Sequence, residues 1–315
     1  MIAAPRAVLV TGATGFVGRQ ALAALLARGL AVNAVTSRDV APPWPGVVWH
    51  RANLLDATDL QRLFETVAAS HLLHLAWNVE HGKFWNAPDN EQWAAASLDL
   101  LRRFAGTGGE RAVMAGTCAE YDWNRKEAHC FREDDPCRPA TPYGRAKLAL
   151  AEAAQAFSGT AGLSLAWARF FFMFGPGEDQ RRLIPLIARG LLQNRRIALS
   201  AGHQTRDFLD TRDVGEALVQ LVLAKHVAGP VNIASGRAIS IRELATLLAH
   251  LANRDEELLD FGALAGAERE PPSIVADISR LRHEAGFVPM RTLEERLAEC
   301  LEWHRAVLCR REQPS

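Results

Sequence analysis

No apolar run in the 315 residues approaches the ~20 needed to span a bilayer, so no transmembrane helix is expected. There is no surplus of charge of either sign. Thirty-six Lys and Arg face 36 Asp and Glu, a balance that argues against a nucleic-acid binder or a membrane-surface protein. Cysteine is scarce and unpatterned. The five residues, Cys118, Cys130, Cys137, Cys300 and Cys309, form no C-x-x-C spacing, which suits reduced thiols in a cytoplasm better than a disulfide framework. A zinc site from His129, Cys130 and Cys137 is disfavoured, and no metal is expected. The N-terminus enters an apolar segment almost at once, leaving no room for a signal peptide. No internal repeat or low-complexity tract is visible. Tyrosine is nearly absent too, with only Tyr121 and Tyr143 in the chain.

Against these absences stands an apolar fraction of 49%, enough for one large or two ordinary domains. The most informative stretch is Thr11-Gly-Ala-Thr-Gly-Phe-Val-Gly18. It follows an apolar strand, Ala7–Val10, and precedes a helix-forming run, Arg19–Arg28, closed by Gly29. Gly12 can take the tight turn, Gly15 lets backbone approach a pyrophosphate, and Gly18 lets helix and strand pack closely. The free N–H groups of the helix N-terminus suit phosphates. A further strand at Ala31–Thr36 gives this glycine pattern its specificity for a dinucleotide.

That strand ends in Thr36-Ser37-Arg38, where an acidic residue would bind a ribose 2′-hydroxyl. A guanidinium there suits a 2′-phosphate, so NADP is favoured over NAD. Asp39 is the alternative ribose ligand, and stacking on adenine or facing solvent is the alternative reading of Arg38. Asn53 and Leu54 follow a short strand at Val47–Trp49 and are expected beside the adenine. Asp59–Ala69 reads as an amphipathic helix, Ser70–Ala76 as a fourth strand, Ala94–Thr107 as a long helix and Arg111–Ala115 as a fifth strand. Residues 77–92 are polar, aromatic and irregular. Trp77 and Trp85, with Trp93 beyond, suit either a substrate pocket or loop anchoring.

Thr117, Tyr143 and Lys147 then fall in order. Tyr143 and Lys147 are four apart at the start of a helix-forming run, so both can face one cleft. A free phenol titrates near pH ~10. A nearby ammonium and a positive nicotinamide are expected to lower that value. Tyr143 would exchange a proton with a carbonyl oxygen as hydride moves, Thr117 would hold that oxygen, and Lys147 would also bind the nicotinamide ribose.

These motifs together resemble the extended short-chain dehydrogenases/reductases, and within them the nucleotide-sugar epimerase/dehydratase/reductase group. The similarity runs through His74-Leu-Ala76, Thr117 with Tyr121, Arg169–Pro176, Thr205–Val214, Val231–Gly236, Val275–Ser279 and Leu293…Trp303. It implies an α/β fold: a doubly wound parallel sheet, the Rossmann arrangement, with a smaller C-terminal α/β lobe for a nucleoside-diphosphate sugar. Residues 1–175, with a returning segment near 205–235, would hold the dinucleotide, and residues 176–315 mainly the substrate. Cofactor contacts are expected from Gly12, Thr14, Gly15, Phe16, Val17, Gly18, Ser37, Arg38, Asn53, Leu54, Leu75, Ala76, Trp77, Tyr143, Lys147 and Phe170. Substrate contacts are expected from Thr117, Cys118, Phe172, Arg206 and Arg269. In that family an arginine at the place of Arg206 meets the substrate diphosphate, and Ile184-Pro185 resembles the segment contacting the nucleobase. A homodimer through the helices near 94–107 and 143–157 is a family expectation.

Departures from the family pattern narrow the reaction. Dehydratases carry Asp-Glu directly after the catalytic Thr, where this chain has Cys118 and Ala119. Fucose-forming reductase-epimerases carry a cysteine two places after the hydroxyl residue, where this chain has Ala119. Phe172 and Trp93 stand where the family usually has Asn, which implies a reshaped substrate pocket. Simple hydride exchange at one sugar carbon remains. The expectation is an NADPH-dependent ketoreductase for a nucleoside-diphosphate 4-keto-6-deoxy sugar. The alternatives are an NAD-retaining 4-epimerase and a non-catalytic cofactor sensor.

Overall fold

The segment Ala7–Thr11 lies inside a seven-stranded parallel sheet. Across the sheet the strands run Gly229–Ile233, Ser164–Phe170, Arg111–Thr117, His71–His74, Ala7–Thr11, Ala31–Thr36 and Val47–Arg51. The structure is a computed structural model and describes residues 7–39, 43–124, 130–265 and 271–312. Alternation along the first strand explains why helices cover both faces. Val8 and Val10 join the apolar cluster formed with the helices Gly18–Ala27 and Thr211–Leu223. Leu9, between them, joins the opposite cluster, which holds Leu100, Leu101 and Phe104 of Asn90–Gly106 and Leu150 of Pro142–Ala161. This is the doubly wound Rossmann arrangement that the glycine stretch implies. Its strand order reverses between Ala7–Thr11 and His71–His74, where open α/β sheets place a ligand at their carboxyl ends.

Several boundaries differ from the sequence expectation, each for a local reason. The second helix is Ala57–Thr66, not 59–69, because Asp56 caps it by accepting from the N–H groups of Thr58 and Asp59. The long helix starts at Asn90 rather than Ala94. Arg111–Thr117 runs two residues beyond Ala115, which makes Thr117 the last residue of a strand. The helix Pro142–Ala161 begins with Pro142 in its first turn and is capped by Thr141, which accepts from the Gly144 N–H at 3.1 Å.

The chain beyond residue 175, together with Cys130–Phe131 and Phe172–Phe174, forms smaller sheets. Ile239–Ser240, Thr205–Arg206, Ser273–Ala276 and Cys130–Phe131 make one sheet of four strands. Phe172–Phe174 pairs with Phe208–Asp210, and Ile197–Leu199 with Leu259–Phe261. The helices Leu183–Leu192, Ile241–Leu251 and Leu293–Glu312 bury Ile184, Ile187, Leu244, Leu248 and Leu297 in a third core. Between these elements the chain returns to the large sheet through Thr211–Leu223 and Gly229–Ile233. Gly215 permits the close helix–helix approach, since a Cβ there would lie 2.8 Å from the Gln20 backbone. No helix among the described residues is long and apolar enough to cross a membrane.

Candidate active site

The glycine turn is built to dimensions that only glycine tolerates. Gly12 has φ +67°, and a Cβ on it would lie 2.7 Å from the Ala76 amide nitrogen. A Cβ on Gly18 would lie 2.1 Å from the Gly12 carbonyl oxygen. The turn therefore brings bare backbone against the segment Leu75–Ala76 at the mouth of the sheet, a cradle that side chains would fill. Thr11 and His74 tie the two flanking strands together: Thr11 Oγ1 lies 2.7 Å from His74 Nδ1, and Ser97 Oγ lies 2.8 Å from His74 Nε2. Thr14, Phe16 and Val17 are half-buried around this cradle, and Gly15 is exposed. The geometry fits a dinucleotide pyrophosphate.

At the sheet edge Ser37 and Arg38 are exposed, and the Arg38 N–H donates to Thr36 Oγ1 at 3.2 Å. The Asp39 carboxylate is paired with Arg51 at 2.7 Å, both groups facing solvent. Asp39 is thus engaged by a second guanidinium, and the corner offers two arginines where the sequence suggested one. Asn53 is exposed and accepts from the Leu55 N–H, while Leu54 is buried. Phe170 is half-buried at the end of its strand.

Thr117, Tyr143 and Lys147 meet at the carboxyl end of the sheet. The Thr117 hydroxyl stands close enough to the Tyr143 phenol to favour its ionised form. The Ala119 N–H donates to Thr117 Oγ1 at 3.2 Å, leaving the threonine hydrogen for another acceptor. Lys147 Nζ donates to the Ala115 carbonyl at 2.9 Å. Tyr143 is 8% exposed and Lys147 2%. One expectation is corrected here: the Tyr143 phenol is pushed up, not down, because burial outweighs the favourable influence of the Thr117 hydroxyl. Its enclosure is aromatic. The rings of Trp77, Phe84 and Trp85 stand edge-on to it at 6.2, 4.9 and 5.7 Å. Burial also pushes the Lys147 ammonium down to about 7, and burial with the nearby Lys147 charge pushes His74 down to about 3.

A cavity of about 420 Å³ opens beside this cluster. Phe84 and Trp85 line it as well as packing on Tyr143, so they join the two spaces. Of the expected substrate residues it gathers Phe172 and Arg206, with Ile184. Arg206 is buried, donates to the carbonyls of Thr205 and Pro271 at 2.7 and 3.0 Å, and lies 5.5 Å from the Phe172 ring centre. Asp207 accepts from Ser235, Gly236 and Ala276, and Asp210 from Arg212. Thr117 and Tyr143 do not line the cavity themselves. Cys118 is buried, with its thiol pushed up to about 12 by burial. Arg269 and His129 lie outside the described residues. No group of three or more His, Cys, Asp and Glu among the described residues is arranged to hold a metal ion.

The NAD-dependent epimerase/dehydratase family profile matches residues 8–234, from the first strand to the last strand of the large sheet. The chain belongs to that family. It is thereby an NAD(P)-dependent enzyme of the extended short-chain dehydrogenase/reductase kind. It is 28% identical to the dTDP-6-deoxy-L-talose 4-dehydrogenase (NAD(P)(+)) of Kitasatospora kifunensis over 309 residues, 94% of this chain and 95% of that protein. It is 25% identical to the UDP-glucose 4-epimerase of Streptomyces lividans over 328 residues, 94% of this chain and 95% of that protein. Among solved structures, MoeE5 in complex with UDP-glucose and NAD superposes with a TM-score of 0.78 and 30% identity, covering 96% of this chain and 99% of that one.

Seen as a member of this family, the chain carries three features that its sequence motifs did not single out. Glu120 is fully buried and accepts from the Thr117 N–H at 2.8 Å, from Trp167 Nε1 at 3.0 Å and from Arg169 Nε at 2.8 Å. It holds the strand end that presents Thr117, and the Thr-x-x-Glu capping pattern was its signal. Phe84 roofs Tyr143 from an irregular segment with no periodicity. Glu178 lines the cavity at 6% exposure and is pushed up to about 8 by burial, although Arg182 Nε stands 3.1 Å away.

Proposed function

We propose that the chain is a ketoreductase that uses NADPH to reduce the keto group of a nucleoside-diphosphate 4-keto-6-deoxy sugar. The observation that carries this reading is the convergence of Thr117, at the carboxyl end of the sheet, with Tyr143 and, one turn further along the helix, Lys147. The dinucleotide, when bound, supplies the hydride. Burial keeps the Tyr143 phenol protonated, which is the form needed to give a proton to a carbonyl oxygen gaining charge. Thr117 orients that oxygen through its hydroxyl, and the Lys147 ammonium offsets the charge left on the phenolate. The cavity beside Phe84 and Trp85 takes the sugar nucleotide, with Arg206 toward its diphosphate.

Cys118 and Ala119 argue against dehydration. Alanine moves no proton, and a thiol held near 12 stays neutral and weakly acidic. Exchange at a single carbon needs neither. The dTDP-sugar 4-dehydrogenase among the relatives supports the same reading. NADPH is favoured by Arg38, because a guanidinium suits a 2′-phosphate, while the Asp39 carboxylate is engaged by Arg51. Residues 1–175 with 205–235 would form the cofactor domain and residues 176–315 the substrate lobe. The helices Asn90–Gly106 and Pro142–Ala161, side by side on the sheet, would pair two copies.

A 4-epimerase retaining NAD is the second reading, favoured by the Streptomyces relative. Mixing the purified protein with NADPH and a dTDP-4-keto-6-deoxyhexose separates the two. The proposal expects one NADPH consumed per sugar reduced. Absence of consumption, with tightly bound NAD and interconversion of UDP-hexoses, would overturn it.

A further inference from the structure

Trp77 follows the strand His71–His74 and stands against both members of the Tyr143–Lys147 pair. Its edge meets the Tyr143 ring with planes at 78°, and Lys147 Nζ lies 3.6 Å from the centre of the same indole. Neither contact is left to chance. Trp77 Nε1 donates to Asn90 Oδ1 at 2.9 Å. Asn90 Nδ2 in turn donates to the carbonyls of Phe84 and Ala87 at 2.9 and 3.0 Å. Asn90 is 2% exposed, so this clamp works away from competing water.

A buried ammonium needs substitutes for the water it has lost. The groups facing Lys147 are few. The Ala115 carbonyl on the strand takes one N–H. His74 on the neighbouring strand is neutral and offers no attraction. Glu120 acts on Lys147 as a favourable charge from the turn after Thr117, but its oxygens already serve Thr117, Trp167 and Arg169. Tyr143, one turn back on the same helix, is a protonated phenol. The face of the indole is what remains, and a cation so close to a ring centre is attracted by the ring quadrupole, more strongly when desolvated.

We propose that Trp77, pinned by Asn90, is a positioning residue that keeps the Lys147 side chain charged and in place beside Tyr143. This rests on the reading of Lys147 as the cationic partner of Tyr143. A π face favours the charged form, so Lys147 titrates higher with the indole than without it. The chain has only four lysines, Lys83, Lys126, Lys147 and Lys225, which makes a direct titration practical. Lysine labelled with ¹³C at Cε is followed by NMR in the full-length protein, and Lys147→Arg assigns the Lys147 signal. In Trp77→Leu the Lys147 signal is expected to titrate about one pH unit below wild type. Trp77→Phe keeps a ring and should recover most of that unit. The alkaline limb of kcat/KM for keto-sugar reduction should move in the same direction.

Asn90→Ala leaves the indole present but unpinned and serves as the second variant if Trp77→Leu does not fold. It should lower the titration by a smaller amount. Unchanged Lys147 titration in folded variants of Trp77 or Asn90 would overturn the proposal. A shifted titration in a protein that reduces no keto sugar would keep the inference and remove the functional reading instead.

Discussion

The two walls of the cleft are made of different material. On the dinucleotide side the recognition surface is backbone: Gly12 and Gly18 are pressed so close to Ala76 and Gly12 that no side chain fits. On the substrate side the surface is side chains brought from separate stretches, with Phe84 and Trp85 from one loop, Phe172 from a strand and Arg206 from another sheet. A backbone wall has almost no freedom to vary in sequence. A side-chain wall can be rebuilt one residue at a time, and Phe172 in place of an amide is an example of rebuilding, whereas Trp93 packs against the core of the large sheet instead of lining the cavity. On the proposed reading, the first wall specifies the cofactor class and the second selects the sugar nucleotide.

This contrast can be broken from either side. The largest effect is expected from Gly18→Ala, whose new Cβ would meet the Gly12 carbonyl oxygen at 2.1 Å. Overpacking of this kind costs about 1–3 kcal/mol, and displacement of the turn should abolish NADPH binding as measured by fluorescence titration. Next is Arg206→Ala. Removing a buried guanidinium from the diphosphate should raise KM for the nucleotide sugar by about 10- to 100-fold while leaving the Kd for NADPH unchanged. Arg38→Ala should weaken NADPH by about 10-fold or more and NADH far less; equal losses would mean the arginine does not meet a 2′-phosphate.

The smallest effect concerns Glu178. Its carboxyl is pushed up to about 8 in the folded chain, above the ordinary carboxylate range. Above the unfolded value, the unfolded state ionises while the buried group stays protonated. That component of stability is therefore complete at low pH and is lost as pH rises toward 8. Glu178→Gln should flatten the decline in Tm between about pH 5 and pH 8.

The backbone wall was legible in the sequence because its signals are local. A strand, three glycines and a helix lie within twenty-odd residues, and Tyr143 and Lys147 sit one helical turn apart. Five strands of the large sheet were readable for the same reason, to within a residue or two at their ends, whereas Ser164–Phe170 and Gly229–Ile233 were not read as strands. The substrate wall was only partly legible. Arg206 and Phe172 came from a family resemblance, not from any pattern of their own. Phe84 opens a single-turn 3-10 helix, Phe84–Asn86, in a stretch without sequence periodicity, and nothing in its neighbours says that it faces Tyr143. The same gap explains the reversed titration of Tyr143. Sequence supplies the charge one turn away, but not the three rings that exclude water from the phenol. Glu120 shows a milder version of this limit: its capping pattern with Thr117 is local, while its bond to Arg169 spans 49 residues.

The most direct test of the account is single-turnover reduction of a dTDP-4-keto-6-deoxyhexose by Tyr143→Phe, with NADPH binding measured on the same sample. Loss of a positioned proton donor should slow hydride consumption by about 10²- to 10⁴-fold while the Kd for NADPH stays at the wild-type value. A variant that consumes NADPH at the wild-type rate would contradict the assignment of Tyr143 and, with it, the reaction proposed for this cleft.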